Sequence, residues 1–403
     1  MNDSTGHFPT ALLYSDEMAN FEYSPTHPFK PVRAKLTMEL CRRYGLIEWP
    51  WIQVVRPNPA DFAVMAEFHD EAYLKTLQRV DSAASADELW PDDNTAEADS
   101  AAALGPLLLQ YGLGTEDNPI FAGVYTYSAL TAGATLMGAK MIAEGKARGV
   151  FSPLGGFHHA GRDHAEGFCY VNDIGVAITQ LLKKGLRVAF VDIDAHHCNG
   201  VQDAFYRDER VLVISFHESG REMYPWSGFE NEIGEGKGKG YTVNVPFPQN
   251  TDDDAFVQAF EEITPPLLRA FAPDLVIAEL GADTHISDPL THLNMTNFGY
   301  CEVVKKIVQE SPRLLALGGG GYDLYKTARS WTLAWAIMND LDPRDEFLGV
   351  VGGMMFGPEI EVGSLRDKTV YTKGVTKDRI NREVERVVKS IKKTVFPIHH
   401  LSF

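Results

Sequence analysis

Residues 187–201 read RVAFVDIDAHHCNGV. An apolar, β-type run, Val188 to Val191, passes directly into Asp192, Asp194, His196 and His197, so a buried strand runs into a cluster of metal-type ligands. In an open parallel α/β sheet, ligands bind where the carboxyl ends of the strands and their loops converge. Asp194 and His196 are two apart, and in extended chain both point to one side, where they can hold a cation together. Taken alone, D-x-D-x-H-H is also a run of turn formers or satisfied core groups, and its meaning depends on partners elsewhere in the chain.

Outward from this stretch the same rhythm repeats. Strand signals at 11–14, 149–151, 211–216, 274–280 and 313–317 join the one at 187–192, with helical stretches near 33–44, 60–80, 125–145, 171–184, 254–271 and 298–310. Such alternation predicts a parallel sheet with helices on both faces. Five strand signals lead into residues suited to a site: GGFHHA (155–160), DIDAHH (192–197), SFHES (215–219), ELGADTH (279–285) and ALGGGGY (316–322). All five loops are expected on one rim. No repeat or linker divides residues 1–403, which read as a single domain with an acidic surface excursion near 81–106 and a C-terminal amphipathic helix near 376–395. The Gly-rich stretch 228–241 has neither phosphate-loop spacing and is expected to be a plain loop.

Composition narrows the function classes. A chain of 403 residues, 44% hydrophobic and 23% charged, has ample core material for a globular protein. Its formal charge of −18 argues against nucleic acid as a direct partner, because phosphate binding needs concentrated Lys and Arg. The same balance is common among soluble proteins and also favours a cationic substrate. Cys41, Cys169, Cys198 and Cys301 are scattered, with no C-x-x-C pair, which fits a reducing compartment. The first ten residues, MNDSTGHFPT, lack a basic region followed by an apolar one, and no apolar run approaches a membrane span. A cytoplasmic protein without membrane association is expected.

Asp283 in GADT can join Asp194 and His196, giving two carboxylates and an imidazole with a coordination position left for water, the pattern of a catalytic zinc site. The pair His158-His159 follows two glycines and suits proton transfer near neutral pH, although a surface pair reads the same way. Tyr322, after four glycines, can donate to a substrate carbonyl as an oxyanion donor or be a plain tyrosine beyond a turn.

Together, GGFHHAGRDHAEGFCYVND (155–173), VDIDAHHCNGVQDAF (191–205), ELGADTHISDPL (279–290) and LGGGGY (317–322) resemble the zinc-dependent histone deacetylase family, nearest its bacterial acetoin-utilisation branch. The resemblance implies the arginase-deacetylase fold, a single parallel sheet of about eight strands with helices on both faces. It implies one zinc per chain on Asp194, His196 and Asp283, His159 as general base and acid, His158 as its electrostatic helper, and Tyr322 as the residue that polarises the acetyl carbonyl. Gly167, Phe168 and Tyr224 match the walls of the family's acyl-lysine tunnel, Leu290 its rim, and Asp117 in TEDNP the carboxylate that holds the substrate backbone. A structural potassium is implied at the Asp192 carboxylate, the Ser215 hydroxyl and the backbone carbonyls of Asp194, His196 and Phe216. A second potassium is implied, more loosely, at Phe205, Asp208, Val211 and Tyr241.

The implied activity is removal of acetyl or short acyl groups from lysine side chains of proteins or peptides. Rival readings are an acetylpolyamine or other small acyl-amine amidohydrolase, an arginase-like binuclear hydrolase, and a non-catalytic acyl-lysine binding module. Cys198 and Asn199 depart from the Gly and Asp that the family often carries there. With Asn199 behind it, the partner of His159 becomes neutral, and Cys198 reads either as a buried filler or as a functional thiol.

Overall fold

The computed structural model describes residues 8–82, 105–343 and 365–402. Its strands are β1 (Thr10–Leu13), β2 (Ile52–Val55), β3 (Gly149–Ser152), β4 (Val188–Asp192), β5 (Val211–Glu218), β6 (Thr242–Phe247), β7 (Leu275–Glu279) and β8 (Leu314–Leu317). They form one sheet in the order β2-β1-β3-β8-β7-β4-β5-β6, with every pairing parallel. Strands of a sheet covered on both faces are near-continuous apolar runs. Every residue of β3, β4, β5, β7 and β8 is accordingly buried. The two strands not read from sequence are the sheet's edges: β2 (IQVV) buries only Ile52 fully, and β6 (TVNVPF) carries Asn244 and Pro246, which suit an edge position.

Right-handed crossovers sort the helices. Connections moving toward the β6 edge carry Val124–Ala143, Asp173–Lys183 and Asn199–Phe205, which pack in succession on one face. Those moving toward β2 carry Val32–Arg43, Asp253–Phe271 and Asn297–Glu310, which share the other face with Leu324–Met338 and Gly374–Thr394. The chain leaves β4 in one direction and the adjacent β7 in the other, so their connections part and open a crevice above both carboxyl ends.

The helix expected over 60–80 is two helices, Phe62–Met65 and Glu71–Arg79, the second started afresh by Asp70, whose carboxylate accepts from the Ala72 and Tyr73 N–H groups. The C-terminal helix buries Ile380, Val384, Val387, Val388 and Ile391 and packs on β6 and Asp253–Phe271. Of the acidic stretch expected at 81–106, residues 83–104 lie outside the described residues. No described helix is long and apolar enough to cross a membrane.

Candidate metal and acyl-transfer site

Asp192 is the last residue of β4, and the chain beyond it folds back on its own carboxylates: the Asp194 N–H donates to Asp192 Oδ1 and the His196 N–H to Asp194 Oδ1, each at 2.9 Å. Beyond β7, Asp283 accepts the Ala195 N–H at 2.7 Å, which ties the two loops across the crevice. The Gly320 N–H, from the loop after β8, donates to Asp194 Oδ2 at 2.6 Å. His196 Nδ1 then lies 3.1 Å from Asp194 Oδ1 and 3.0 Å from Asp283 Oδ2, and the candidate ligand atoms of all three buried residues fall within 4.8 Å of one another. Glycine is required at two approaches, since a Cβ on Gly281 would stand 2.3 Å from Asp194 Oδ2 and one on Gly320 2.0 Å from Asp283 Oδ2.

The electrostatics of this group call for a cation. Burial, with Asp194 close by, pushes the Asp283 carboxyl up to about 7, while the His196 ring, although buried, is raised to about 10 by the carboxylates of Asp194 and Asp283. Two buried carboxylates thus draw positive charge to the point where their oxygens meet Nδ1. Two hard oxygens and one imidazole nitrogen, three protein ligands in all, suit zinc with a position left open.

The histidine pair follows β3. Asp173, at the start of Asp173–Lys183, accepts the Gly156 N–H at 3.1 Å and the Phe157 N–H at 2.8 Å, and Gly156 takes a φ of 100°, where a Cβ would stand 2.6 Å from the Gly319 nitrogen. His158 Nδ1 lies 2.8 Å from Asp192 Oδ2 and 3.1 Å from Glu279 Oε1. Its Nε2 is 3.1 Å from His159 Nε2, and His159 Nδ1 is 2.7 Å from Asn199 Oδ1. Donor bookkeeping orders the chain. The amide oxygen only accepts, so His159 Nδ1 donates to it; His159 Nε2 is then a bare acceptor, and His158 supplies the proton between the rings. His158 Nδ1, facing two carboxyls, must also carry hydrogen. His158 is therefore the charged ring: burial opposes that charge, but Glu279 and Asp192 outweigh it and hold its pKa well above the ordinary value. Burial, then the neighbouring His158 and His196, holds His159 well below.

Glu279 was not singled out in the sequence. It is fully buried, pairs with Asp192 in the register of β4 and β7, and neither of its oxygens receives a directed hydrogen bond. Its place at the end of a strand signal was legible; that it shares His158 with Asp192 depends on strand order.

Tyr322 is placed by two further residues that sequence reading passed over. Arg33, buried in Val32–Arg43, donates to the carbonyls of Gly321 (2.8 Å) and Gly319 (2.5 Å), and Asp288 accepts the N–H groups of Tyr322 (2.8 Å) and Leu290 (2.9 Å). The Tyr322 ring packs edge-on to Phe168 (5.7 Å) and to His196 (6.2 Å), and burial, with Asp283 and Asp194 near, keeps its phenol protonated. Phe168 takes a φ of 68° and accepts the Tyr23 hydroxyl on its carbonyl; Tyr224 lies edge-on to His159 at 5.2 Å. A Cβ on Gly167 would stand 2.5 Å from His159 Cδ2 and 2.9 Å from the Tyr224 hydroxyl. Gly167, Phe168, Tyr224 and Tyr322 are thus brought around His159 and His196. Leu290 is half-buried on the same loop as Asp288, and Asp117 is exposed, its carbonyl 3.2 Å from His27 Nε2, with the His27 ring against Phe168.

Ser215 is the register neighbour of Asp192 on β5, and its hydroxyl lies 2.8 Å from His217 Nδ1, to which it can donate while keeping its lone pairs for a cation. The Phe216 ring packs among Phe247, Phe256 and Phe260. In the looser set, the carbonyls of Phe205, Asp208 and Tyr241 each already accept one backbone N–H, and Val211 donates one of them; the Asp208 carboxylate is held by Arg210. Cys198 is wholly buried, and burial pushes its thiol well up, which fits a filler rather than a reactive group.

A model of the histone deacetylase domain matches residues 27–338. Histone deacetylase 8 of Xenopus tropicalis is 38% identical over 308 residues, 76% of this chain and 78% of that protein. Histone deacetylase 1 of Homo sapiens is 33% identical over 349 residues, 87% of this chain and 68% of that one. The match to a probable histone deacetylase 19 of Zea mays, 35% identical, spans 64% of that protein's length. Among solved structures, an HDAC homologue from Aquifex aeolicus superposes with a TM-score of 0.80 at 28% identity, covering 95% of this chain and all of that one; an HDAC homologue complexed with SAHA gives 0.79 at 29%, with the same coverage.

Proposed function

The chain belongs to the histone deacetylase family and has its arginase-deacetylase fold, and from that premise we propose that it is a zinc-dependent amidohydrolase that removes acetyl, or a related short acyl group, from lysine side chains of proteins or peptides. The observation that most supports this reading is the meeting of Asp194, His196 and Asp283 at the crevice, with His158-His159 and Tyr322 on the loops around it. We read residues 1–403 as one catalytic domain and the cytoplasm as its place. Bound at those three ligands, zinc would supply Lewis acidity for the amide carbonyl and for water. A potassium ion at Asp192, Ser215 and the nearby carbonyls would be structural.

The chain's own residues do the rest. His159 Nε2, bare and oriented by Asn199, takes the proton of the attacking water. The Tyr322 phenol donates to the carbonyl oxygen as it becomes an oxyanion. His158, charged and clamped by Asp192 and Glu279, steadies that negative charge, and the pair returns a proton to the leaving lysine amine. Gly167, Phe168 and Tyr224 exclude water from the acyl chain.

Assaying the purified protein against acetyl-lysine peptides and acetylated polyamines tests the substrate class. Asp117 is read as the rim group that accepts backbone N–H groups of an extended peptide, and Asp117→Ala is expected to cut kcat/KM on peptides roughly ten- to a hundredfold, the worth of hydrogen bonds to a charged group, with far less effect on a short acetylated amine. Equal losses on both would favour the small-amine reading or a structural aspartate.

A pH profile tests the role of Asn199. His159 works as a base only when neutral, so the acid limb of kcat/KM follows its pKa, which burial and the neighbouring imidazoles hold well below the ordinary value. A carboxylate in contact would favour the charged ring and raise that pKa by roughly one to three units. Asn199→Asp should therefore move the acid limb upward, with metal content unchanged; a limb that stays or moves down would show that His159 is not the base. Zinc held by Asp194, His196 and Asp283 would also lower the pKa of water there, so the shift would belong to the coupled site.

A further inference from the structure

The loop between β5 and β6 carries an aromatic residue that the fold leaves in solvent. Beyond Glu218 the chain closes on itself: the Glu222 and Met223 N–H groups donate to the Ser219 carbonyl at 2.9 and 3.0 Å, and the Trp226 N–H donates to the Met223 carbonyl at 3.1 Å. A Cβ on Gly220 would stand 2.4 Å from the Ser227 carbonyl oxygen, so the turn is tight. Trp226 ends it with a φ of 64°, in the left-handed region, and is 62% exposed, more than any other aromatic among the described residues. Two unfavourable features meet in one residue. Glycine would take that backbone freely where a bulky side chain is strained, and an exposed indole keeps a large apolar area in water.

The place of Trp226 is fixed from both sides. Two residues before it, the Tyr224 ring lies edge-on to His159 at 5.2 Å and its hydroxyl donates to Glu166 at 2.8 Å. One residue after it, Ser227 Oγ lies 2.9 Å from Nδ1 of His197, the neighbour of the candidate ligand His196, and the Gly228 carbonyl lies 2.8 Å from His217 Nε2. The indole therefore stands on the rim of the crevice, between the ring that faces His159 and the loop that follows β4. Charge on this rim is negative. Asp117 is exposed beside His27, whose ring meets Phe168, and Glu166 is half-buried beside Tyr224. His164 lies against both Asp163 and Glu166 and can offset only one of them, while Arg221 and Glu222 on the loop are exposed and opposite in sign. An aromatic face attracts a cation, an indole most strongly, and carboxylates nearby add to the attraction.

We propose that Trp226 is a specificity-determining residue: its exposed indole holds a lysine or arginine side chain that flanks the acyl-lysine in an extended protein or peptide substrate. The acyl-lysine enters the crevice, and the neighbouring cation lies on the rim. This deepens the deacylase reading above and rests on it, since a short acylated amine has no flanking residue to place there.

The test uses the full chain and three substrates: a peptide with lysine beside the acetyl-lysine, the same peptide with norleucine in place of that lysine, and a capped acetyl-lysine with no flanking residue. The main variant is Trp226→Gly, because glycine accepts the left-handed backbone and the variant should melt no lower than the unsubstituted protein. Its KM for the lysine-flanked peptide should rise roughly tenfold with kcat within about twofold, and KM for the other two substrates should stay within about twofold. Trp226→Tyr should recover part of the loss. Titrating the lysine-flanked peptide into Tyr322→Phe should change the indole fluorescence, and adding Trp226→Phe should abolish that change. An unchanged KM in Trp226→Gly, a rise as large on the norleucine peptide, a lowered melting temperature, or a fluorescence change that survives without Trp226 would overturn the proposal. If no acetyl-lysine substrate is hydrolysed, the function reading fails while the fluorescence titration still decides this one.

Discussion

Asp283→Ala should empty the candidate metal site and stop turnover. The Asp194 carboxylate and the His196 ring would remain, but two protein ligands hold zinc poorly, and the variant is expected to purify with almost none of the one zinc per chain that the unsubstituted protein should carry. Loss of several kcal/mol of charge stabilisation corresponds to a fall in kcat/KM of about a thousandfold or more. Asp283→Asn is the companion variant, because its amide oxygen still accepts the Ala195 N–H that ties the two loops and so separates loss of metal from loss of fold. Metal analysis beside a thermal melt reads both. Full zinc occupancy and activity in Asp283→Ala would sink the assigned ligand set.

The second large effect is expected at Tyr322. Arg33 and Asp288 hold the backbone on either side of the phenol, so Tyr322→Phe removes a hydroxyl without disturbing its loop. Removing one oxyanion donor costs on the order of a hundredfold in kcat or more. Zinc content should be unchanged and KM nearly so, since the hydrogen bond strengthens as charge develops on the oxygen. Near-native turnover would mean that the phenol serves packing against Phe168 alone.

How far the sequence reaches can be seen by comparing β4 with β6. VAFVD is a continuous apolar run that ends in a carboxylate, and both its burial and its place at the crevice were legible. TVNVPF hides a strand, because Asn244 and Pro246 are tolerated only where one edge of the strand has no partner. The same division runs through the site. Asp194, His196, Asp283, His158, His159 and Tyr322 stand in short motifs whose residue types announce their chemistry. Arg33 and Glu279 do not: one is an ordinary basic residue in an amphipathic helix and the other a carboxylate at a strand end, until strand order brings them to the Gly-rich loop and to His158.

The position of β8 bears on how the chain is made. β8 lies between β3 and β7, although it is the last of the described strands to leave the ribosome. Once β7 is made and until residue 317 has been synthesised, β3 and β7 each present an unpaired parallel edge of wholly buried side chains, and among the described residues no earlier strand lies between them. Such edges are templates for mispairing with other chains. Between the completion of β7 at residue 279 and of β8 at residue 317 the nascent protein therefore holds two unsealed half-sheets, and the same late insertion that completes the sheet also delivers the GGGGY loop to a crevice whose other walls are already in place.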